Sequence, residues 1–471
     1  MGANNSPLHN GNVIASGHPV VFEFGFLCSD ENAATQHGFC HVSERSFEYL
    51  ESLFFNEQSA SQYELAQRDS NVSQFLQLRT RFGYKVLQVK NYVGVIFTPY
   101  GQHIEVLPKI AKTAKDFELG VTESRSKLLM MLRHLGEFRH LATDSASVDT
   151  LKLPLLEVFI KQFLDSVNQL VKRGLRSDYV RREDNLAFQK GKLKVSKQLR
   201  HNVVNKHKFF VEYHEYLQDR PANRLIRAAL KKVASYTRAN VNQRLLRELD
   251  FAFDEVPASL NAKQDFARVK LDRSMSYYQA PLAWARLILQ GFSPLSMKGT
   301  SSAQSLLFPM ESVFESYVAS VLNEQLIPEA KLHTQTTSEY LVQHQNRRQF
   351  QLRPDLLITH REGTSSEGIK LVLDTKWKLI DIQANNYGLA QSDFYQMLAY
   401  GQNYQDGAGD LVLIYPRHEG FQEPIEFAFE FTKDLRLWIV PFEIEQGGLS
   451  RLITRDYHPF HKLMKSEPPH L

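Results

Sequence analysis

The chain has 471 residues, 43% of them hydrophobic and 23% charged, with a formal net charge of +4 and two cysteines. This is the composition of a soluble globular protein of two to four domains, not of a disordered, collagenous or disulfide-stapled chain. No apolar run reaches the ~18 residues of a membrane span, no secretory leader pattern opens the sequence, and two cysteines suit a reducing compartment. The expected location is therefore the cytoplasm, with no membrane contact.

After a polar start, MGANNSPLHNGN, the segments VVFEFGFL and YKVLQVKNYVGVIFTPYGQHIEVLPKI are rich in Val, Ile and aromatics and read as strands, with a hairpin turn at Tyr100 and Gly101. Between them SERSFEYLESLFF has a helical apolar spacing and a helix-start signal at Ser43. Residues 1–115 are expected to form a β-rich N-terminal domain. Cys28, His37, Cys40 and His41 do not have the spacing of a familiar zinc site, so buried thiols and a surface histidine pair are the better reading.

Past about Ser124 the period changes. SKLLMMLRHLGEF, LPLLEVFIKQFLDSVNQLVKRGL and PANRLIRAALKKVASYTRANVNQRLLREL carry apolar residues at steps of three and four, and Gly174 is a plausible helix stop. Residues 116–291 are expected to be mainly helical. They include a basic stretch, Val171 to Lys208, with twelve Lys or Arg against three Asp or Glu. Such a stretch faces nucleic-acid phosphates, solvent or an acidic partner. Lys190, Lys192, Lys194, Lys197 and Arg200 are its candidate DNA contacts.

The last part, residues 292–471, alternates: a helix in FPMESVFESYVASVLNEQL, strands in RQFQLRPDLLIT and IKLVLDTKWKLI, a helix in QSDFYQMLAYGQNY, then strands in DLVLIYP, IEFAFEF and LRLWIVPFEI. This order implies an α/β domain with a mixed sheet, making the whole a multidomain α+β chain.

In an extended strand, residues two apart share a face ~6.6 to 6.8 Å apart. Asp374 and Lys376 therefore project together from a strand otherwise apolar enough to be buried, where a charge is costly unless it has a use. If the RPDLLI strand pairs with it, Asp355 joins them. Carboxylates and a backbone carbonyl are hard oxygen ligands suited to Mg²⁺, and a lysine beside them can stabilise charge on a phosphate or orient an attacking water. A D-x-K triplet by itself is more often a salt bridge at a sheet end. His360, next to Arg361, is expected to be solvent-exposed.

RPDLLI followed by LVLDTKWK resembles the P-D…(D/E)-x-K signature of restriction-endonuclease-like nucleases. Gln396 and Tyr400 match the Q-x-x-x-Y helix of the RecB-like branch, and Glu315 in MESVFESYV matches the acidic residue of the first core helix. The stretches NYVGVI…IEVLPKI, VKRGL…Y and Arg220–Pro221–Ala222–Asn223 extend the resemblance to the McrC family, the nuclease subunit of McrBC modification-dependent restriction systems, discontinuously from about Val86 to Phe442. The resemblance implies that Asp355 and Asp374 bind Mg²⁺ (Mn²⁺ as a substitute) with the Thr375 carbonyl, that Glu315 adds a ligand directly or through water, and that Lys376 assists water attack. Gln396 and Tyr400 orient Lys376 or meet the phosphate backbone; for Glu315, Gln396 and Tyr400 alike, helix packing or a hydrogen-bonded core network is the equal alternative.

The resemblance further implies an N-terminal region docked on a McrB-like AAA+ GTPase ring, stimulation of its GTP hydrolysis, and double-stranded, methylated DNA as substrate. GTSSEGIK lacks the Gly-Lys-[ST] ending of a phosphate loop, so GTP enters only through the partner. Dimerisation of nuclease domains is an expectation from the chemistry of a duplex cut. The alternatives are a stand-alone RecB-like nuclease and a non-cleaving regulatory subunit of a motor.

Overall fold

The computed structural model describes residues 18–58, 75–111, 117–135, 153–290, 305–360, 369–445, 450–458 and 460–465. The polar first dozen residues and the turn holding Arg361 lie outside them. The chain divides into two compact units, one of residues 1–139, 297–303 and 307–471, the other of residues 140–296 and 304–306.

In the first unit the N-terminal strands are β1 (Val20–Phe22), β2 (Phe26–Cys28), β3 (Phe39–His41), β4 (Leu76–Arg81), β5 (Tyr84–Val89), β6 (Tyr92–Phe97) and β7 (His103–Leu107). They form two small sheets, β3-β2-β5-β4 and β1-β7-β6, the latter extended by the strand Ser305–Pro309. The alternation of Val, Ile and Leu puts Leu27, Leu50, Leu87, Ile96, Ile104 and Val106 into one core with the helix Glu44–Gln58. Gly101 takes a positive φ of 76° at the β6–β7 turn, as the sequence implied. Cys28 and Cys40 are buried free thiols, while His37 stays exposed. The helix Phe117–Leu132 is fastened to β7 by a buried bidentate pair, Arg125 to Glu105, at 2.7 and 2.9 Å.

The second unit packs the helices Leu155–Arg173, Pro221–Ala234, Asn240–Ala252 and Gln279–Gln290. Gly174 ends the first of them with φ 91°. Two buried polar residues do much of the joining. Glu157 accepts from the Arg238 and Ala239 amides at the entry to the helix Asn240–Ala252, and from Thr237 and Asn242 side chains. Asn223, fully buried, donates to the Arg176 and Gln218 carbonyls and accepts from Tyr278. The Arg220–Pro221–Ala222–Asn223 stretch thus reads as a helix start with Pro at its first turn, tied to two preceding segments.

Residues 116–291 are mainly helical where they are described, as expected, but the basic stretch within them is not. The basic stretch lies largely in β8 (Asp178–Leu186) and β9 (Lys192–Leu193), which flank β10 (Phe209–Leu217) in an antiparallel three-stranded sheet, with a short helix Val195–His201. The reason is a period of two: FFVEYHEYL alternates aromatic or aliphatic with polar residues over part of its length, and cross-strand charges meet, Arg181 with Glu212 at 2.5 Å and Arg182 with Glu215 at 3.3 Å.

β11 (Ser305–Pro309), whose residues from Leu307 on belong to the first unit, runs into the helix Met310–Gln325. A mixed sheet follows, in the order β12-β15-β16-β17-β19-β18, from β12 (Ala330–Thr334), β15 (Leu356–His360), β16 (Ile369–Thr375), β17 (Gly409–Pro416), β18 (Phe429–Glu430) and β19 (Leu435–Glu443), with β20 (Arg451–Leu452) on β19. β16, β17 and β19 are parallel; β12 and β15 run antiparallel to their neighbours. The helix Gln391–Tyr404 crosses from β16 to β17 and lays Met397, Tyr400 and Tyr404 on Val372, Leu411 and Leu437. Gly401 permits that close approach: a Cβ there would meet Leu435 at 2.7 Å and Leu411 at 3.1 Å.

Three sequence expectations fail here. RQFQLRPDLLIT is not one strand. Residues 347–351 are β14, paired with β13 (Tyr340–His344) in a separate hairpin; Phe350 has φ 57°, and the chain breaks at Leu352–Asp355 around Pro354. IEFAFEF keeps only Phe429–Glu430 as strand, opposite Leu437 and Arg436 of β19, while the Ile425 and Phe431 amides make single bonds to the Ile439 and Leu435 carbonyls. His360 closes β15 opposite Ala330 and Ile369 and is half-buried, not solvent-exposed.

Candidate active site

Pairing of β15 with β16 sets Leu356 opposite Leu373 and Ile358 opposite Leu371. That register brings Asp355, one step before β15, to the end of β16 where Asp374 and Thr375 lie. Asp355 Oδ2 accepts from the Thr375 amide at 2.8 Å and from its hydroxyl at 2.7 Å. The aspartates of the two strands are therefore brought together, and Thr375 contributes through its N–H and Oγ1, contacts that the carbonyl reading had not included.

Asp374 is 1% exposed, and its Oδ2 receives no aligned hydrogen bond. The Lys376 ammonium, 2.6 Å away, answers it by charge. β16 ends at Thr375, so Lys376 reaches Asp374 from just beyond the strand, with its own amide bonded to the Ile414 carbonyl of β17. Burial works against the charge on Lys376, but Asp374 more than offsets it and holds the ammonium above its usual range. For Asp374, burial first and then the Asp355 charge push the carboxyl up.

The helix Gln391–Tyr404 supplies the next link. Lys376 Nζ donates to Gln396 Oε1 at 2.9 Å, Gln396 Nε2 donates to the Tyr400 hydroxyl at 2.8 Å, and Tyr400 donates to the Arg353 carbonyl at 3.0 Å. Gln396 and Tyr400 are one turn apart on one face. They form a relay that fixes Lys376 from one end and the Arg353–Pro354–Asp355 segment from the other. The sequence had left orientation of Lys376 and contact with a phosphate open, and the observed bonds are those of orientation. Burial pushes the Tyr400 hydroxyl well above its ordinary range, so it is a neutral donor.

Glu315, on the helix Met310–Gln325, accepts from Gln335 at 2.8 Å, and Gln335 in turn accepts from Arg353 at 2.5 Å. Burial and the nearby Asp355 charge raise Glu315 to about 7. Gln335 and Arg353 were missed by sequence reasoning. Arg353 stands beside the motif and had a signal, whereas Gln335 follows β12 with φ 47° and had none. Lys378, which pairs with buried Asp393 at 2.8 Å, was also missed, although its step of two from Lys376 is visible in DTKWK.

The donor chemistry fits a hard divalent cation. Glu315, Asp355 and Asp374 are oxygen donors, Asp355 raises the other two, and Asp374 Oδ2 is buried without a donor in line. Among the described residues, no three His, Cys, Asp or Glu side chains stand close enough to make a metal cluster as they are.

The basic candidates lie elsewhere, in the second unit, and most are engaged. Lys194 pairs with Glu212 at 2.5 Å and Glu183 at 3.4 Å, Lys197 pairs with Glu183, and Lys190 sits over the Tyr213 ring at 4.1 Å and 3.9 Å from Glu215. Lys192 and Arg200 are exposed. The count of basic residues along the sequence overstated the positive field, because Glu212 and Glu215 arrive from β10.

The sequence pattern described as "McrBC 5-methylcytosine restriction system component" matches residues 87–416, well over half of the chain. No curated protein matches it. Among solved structures, the fold is similar to a chain from the Thermococcus gammatolerans assembly of McrB AAA+ hexamers with bound McrC, with 19% identity and a TM-score of 0.63 over 90% of this chain and 94% of that one. A chain of the Thermococcus gammatolerans McrBC complex aligns more loosely, with 21% identity and a TM-score of 0.45 over 64% of this chain and 86% of that one. No helix among the described residues is long and apolar enough to cross a membrane.

Proposed function

The chain belongs to the family of McrBC 5-methylcytosine restriction system components, and from that premise we propose that it is the DNA-cleaving subunit, a metal-dependent endonuclease working with an AAA+ GTPase. The observation that carries the reading is the connected set Asp355–Thr375 and Asp374–Lys376–Gln396–Tyr400–Arg353 at one end of the mixed sheet.

Asp355, Asp374 and the Thr375 carbonyl would hold Mg²⁺ or Mn²⁺, with Glu315 as a further ligand. When bound, the ion supplies Lewis-acid polarisation of the phosphodiester and a more acidic water. Lys376, kept charged by Asp374, neutralises the charge that builds on the phosphate oxygens as water attacks phosphorus and the leaving oxygen departs. Gln396 prevents the long lysine side chain from sampling other rotamers, and Tyr400 holds Gln396. Thr375 fixes one oxygen of Asp355, so that carboxylate enters the reaction already oriented.

The assembly containing the similar chain pairs McrB AAA+ hexamers with McrC, and this chain takes McrC's place in the proposal. Its substrate would be methylated duplex DNA, and the GTP would belong to the partner. The β-rich N-terminal part is the proposed docking region. For the basic stretch, the web of ion pairs with Glu183, Glu212 and Glu215 favours a protein partner over bare phosphates.

The test is cleavage of methylated and unmethylated plasmid with Mg²⁺, by the chain alone and with its AAA+ GTPase. Cutting only with partner, GTP and methylated DNA is expected; Asp374→Ala should abolish it while partner GTP hydrolysis persists. Cleavage by the chain alone would make it autonomous, and undiminished cleavage by Asp374→Ala would overturn the site.

A further inference from the structure

Trp377 is the residue after Lys376, and it is 3% exposed. Its indole N–H donates to both oxygens of Glu23, at 2.8 and 3.1 Å. Glu23 is itself 1% exposed and stands just past β1, with its amide bonded to the Leu107 carbonyl of β7. Lys109, just past β7, closes the arrangement: its amide donates to Glu23 Oε2 at 3.2 Å and its ammonium donates to the Trp377 carbonyl at 3.2 Å. The β1–β7 edge therefore grips Trp377 by side chain and backbone alike. The other side of the indole packs on Phe314, ring centroids 5.2 Å apart, one residue before Glu315.

A carboxylate is a costly way to cover a tryptophan, since an apolar side chain of similar size would bury the same ring without desolvating a charge. What a carboxylate adds is direction, because two acceptor oxygens fix the indole in its plane. We propose that Glu23 is a positioning residue for the candidate nuclease centre: held by β1 and β7, it locks Trp377 and thereby sets where Lys376 leaves the end of β16. This inference rests on the nuclease reading above. Burial raises the Glu23 carboxyl to about 7, opposed by Lys109 and Trp377 and reinforced by Glu311, which agrees with a group held in place at an energetic cost.

The experiment uses the full chain with its AAA+ GTPase, GTP and methylated plasmid, and reads kcat, KM for DNA and GTP hydrolysis separately. Glu23→Ala should lower kcat of cleavage about 10- to 100-fold, the range for residues that orient a ligand or catalytic group, with KM and GTP hydrolysis unchanged. Glu23→Gln, which keeps an acceptor, should recover most of the loss. Trp377→Phe, which keeps the packing on Phe314 but has no N–H, should lose as much as Glu23→Ala, and the double variant no more than either. If Glu23→Ala does not fold, the Trp377→Phe and Glu23→Gln pair decides the matter in the same way. Unchanged kcat, or additive losses in the double variant, overturns the inference. Asp374→Ala run alongside separates the two failures: cleavage that survives it sinks the nuclease reading, whereas cleavage lost there but intact in Glu23→Ala sinks only the role of Glu23.

Discussion

At the scale of single residues, the candidate centre is a set of charges held by one or two named neighbours each, which makes the effect of each removal distinct. Gln396→Leu leaves Lys376 its ion pair with Asp374 but removes its second partner, and Tyr400 loses its donor. Cleavage should fall about 10- to 100-fold, while Lys376→Ala should cost at least about 10²- to 10³-fold; single-turnover cleavage rates check both. Two buried groups outside the centre predict opposite pH slopes. Glu23 in the folded chain titrates near 7 instead of 4.5, so it binds a proton that the unfolded chain has released. Its contribution to stability is present below about 4.5 and is lost as pH rises to 7. His458, lowered by burial to about 4 from 6.5, does the reverse, losing stability as pH falls through that window. Denaturant midpoints at several pH values should show Glu23→Gln flattening the first slope and leaving the second. Asp355, Asp374 and Lys376 were legible in the sequence because charge inside an apolar strand is conspicuous. Glu23 was not, since it sits in VVFEFGFL where one acidic residue looks like the solvent face of an edge strand.

At the scale of elements, burial and hydrogen bonding of Asn223 give the clearest expectation. Asn223→Ala takes a donor from the Arg176 and Gln218 carbonyls and the acceptor from the Tyr278 hydroxyl, although Gln218 keeps the Arg220 amide and Tyr278 keeps the Arg176 amide, and should destabilise the chain by about 1 to 3 kcal/mol, read from the denaturant midpoint of its unfolding. The helices around it were legible because their apolar steps of three and four recur over many residues, as in LPLLEVFIKQFLDSVNQLVKRGL. The strands β8 and β10 were not, because β8 carries the unbroken charged run Arg181–Arg182–Glu183–Asp184 with no apolar alternation, and β10 alternates only over part of its length. β14 and β15 were read as one strand since RQFQLRPDLLIT is locally β-like throughout. What separates them is tertiary: residues 347–351 find a partner in β13, and residues 356–360 find theirs in β12 and β16.

At the scale of the whole molecule, the family and the mixed α/β character with a β-rich N-terminus follow from motifs spread along much of the chain. The grouping of the N-terminal strands with the C-terminal sheet in one compact unit did not, since chain order hides it. A single centre of the proposed kind cuts one strand, so a duplex break calls for two chains. Sedimentation of the cleaving complex with partner, nucleotide and methylated DNA should find two copies of this chain, and a single copy would oppose that expectation.

The bond between Glu23 and Trp377 joins residues 354 apart in sequence, and β17, the parallel neighbour that receives the Lys376 amide, is itself flanked by β19 near the end of the chain. During synthesis the ribosome releases the N-terminal strands long before the segments that complete the proposed cutting centre. Contacts of such long range are slow to form and are made late. A chain ending before β19 therefore lacks the strand that flanks β17, and on the proposed reading such a truncation is expected to show no cleavage.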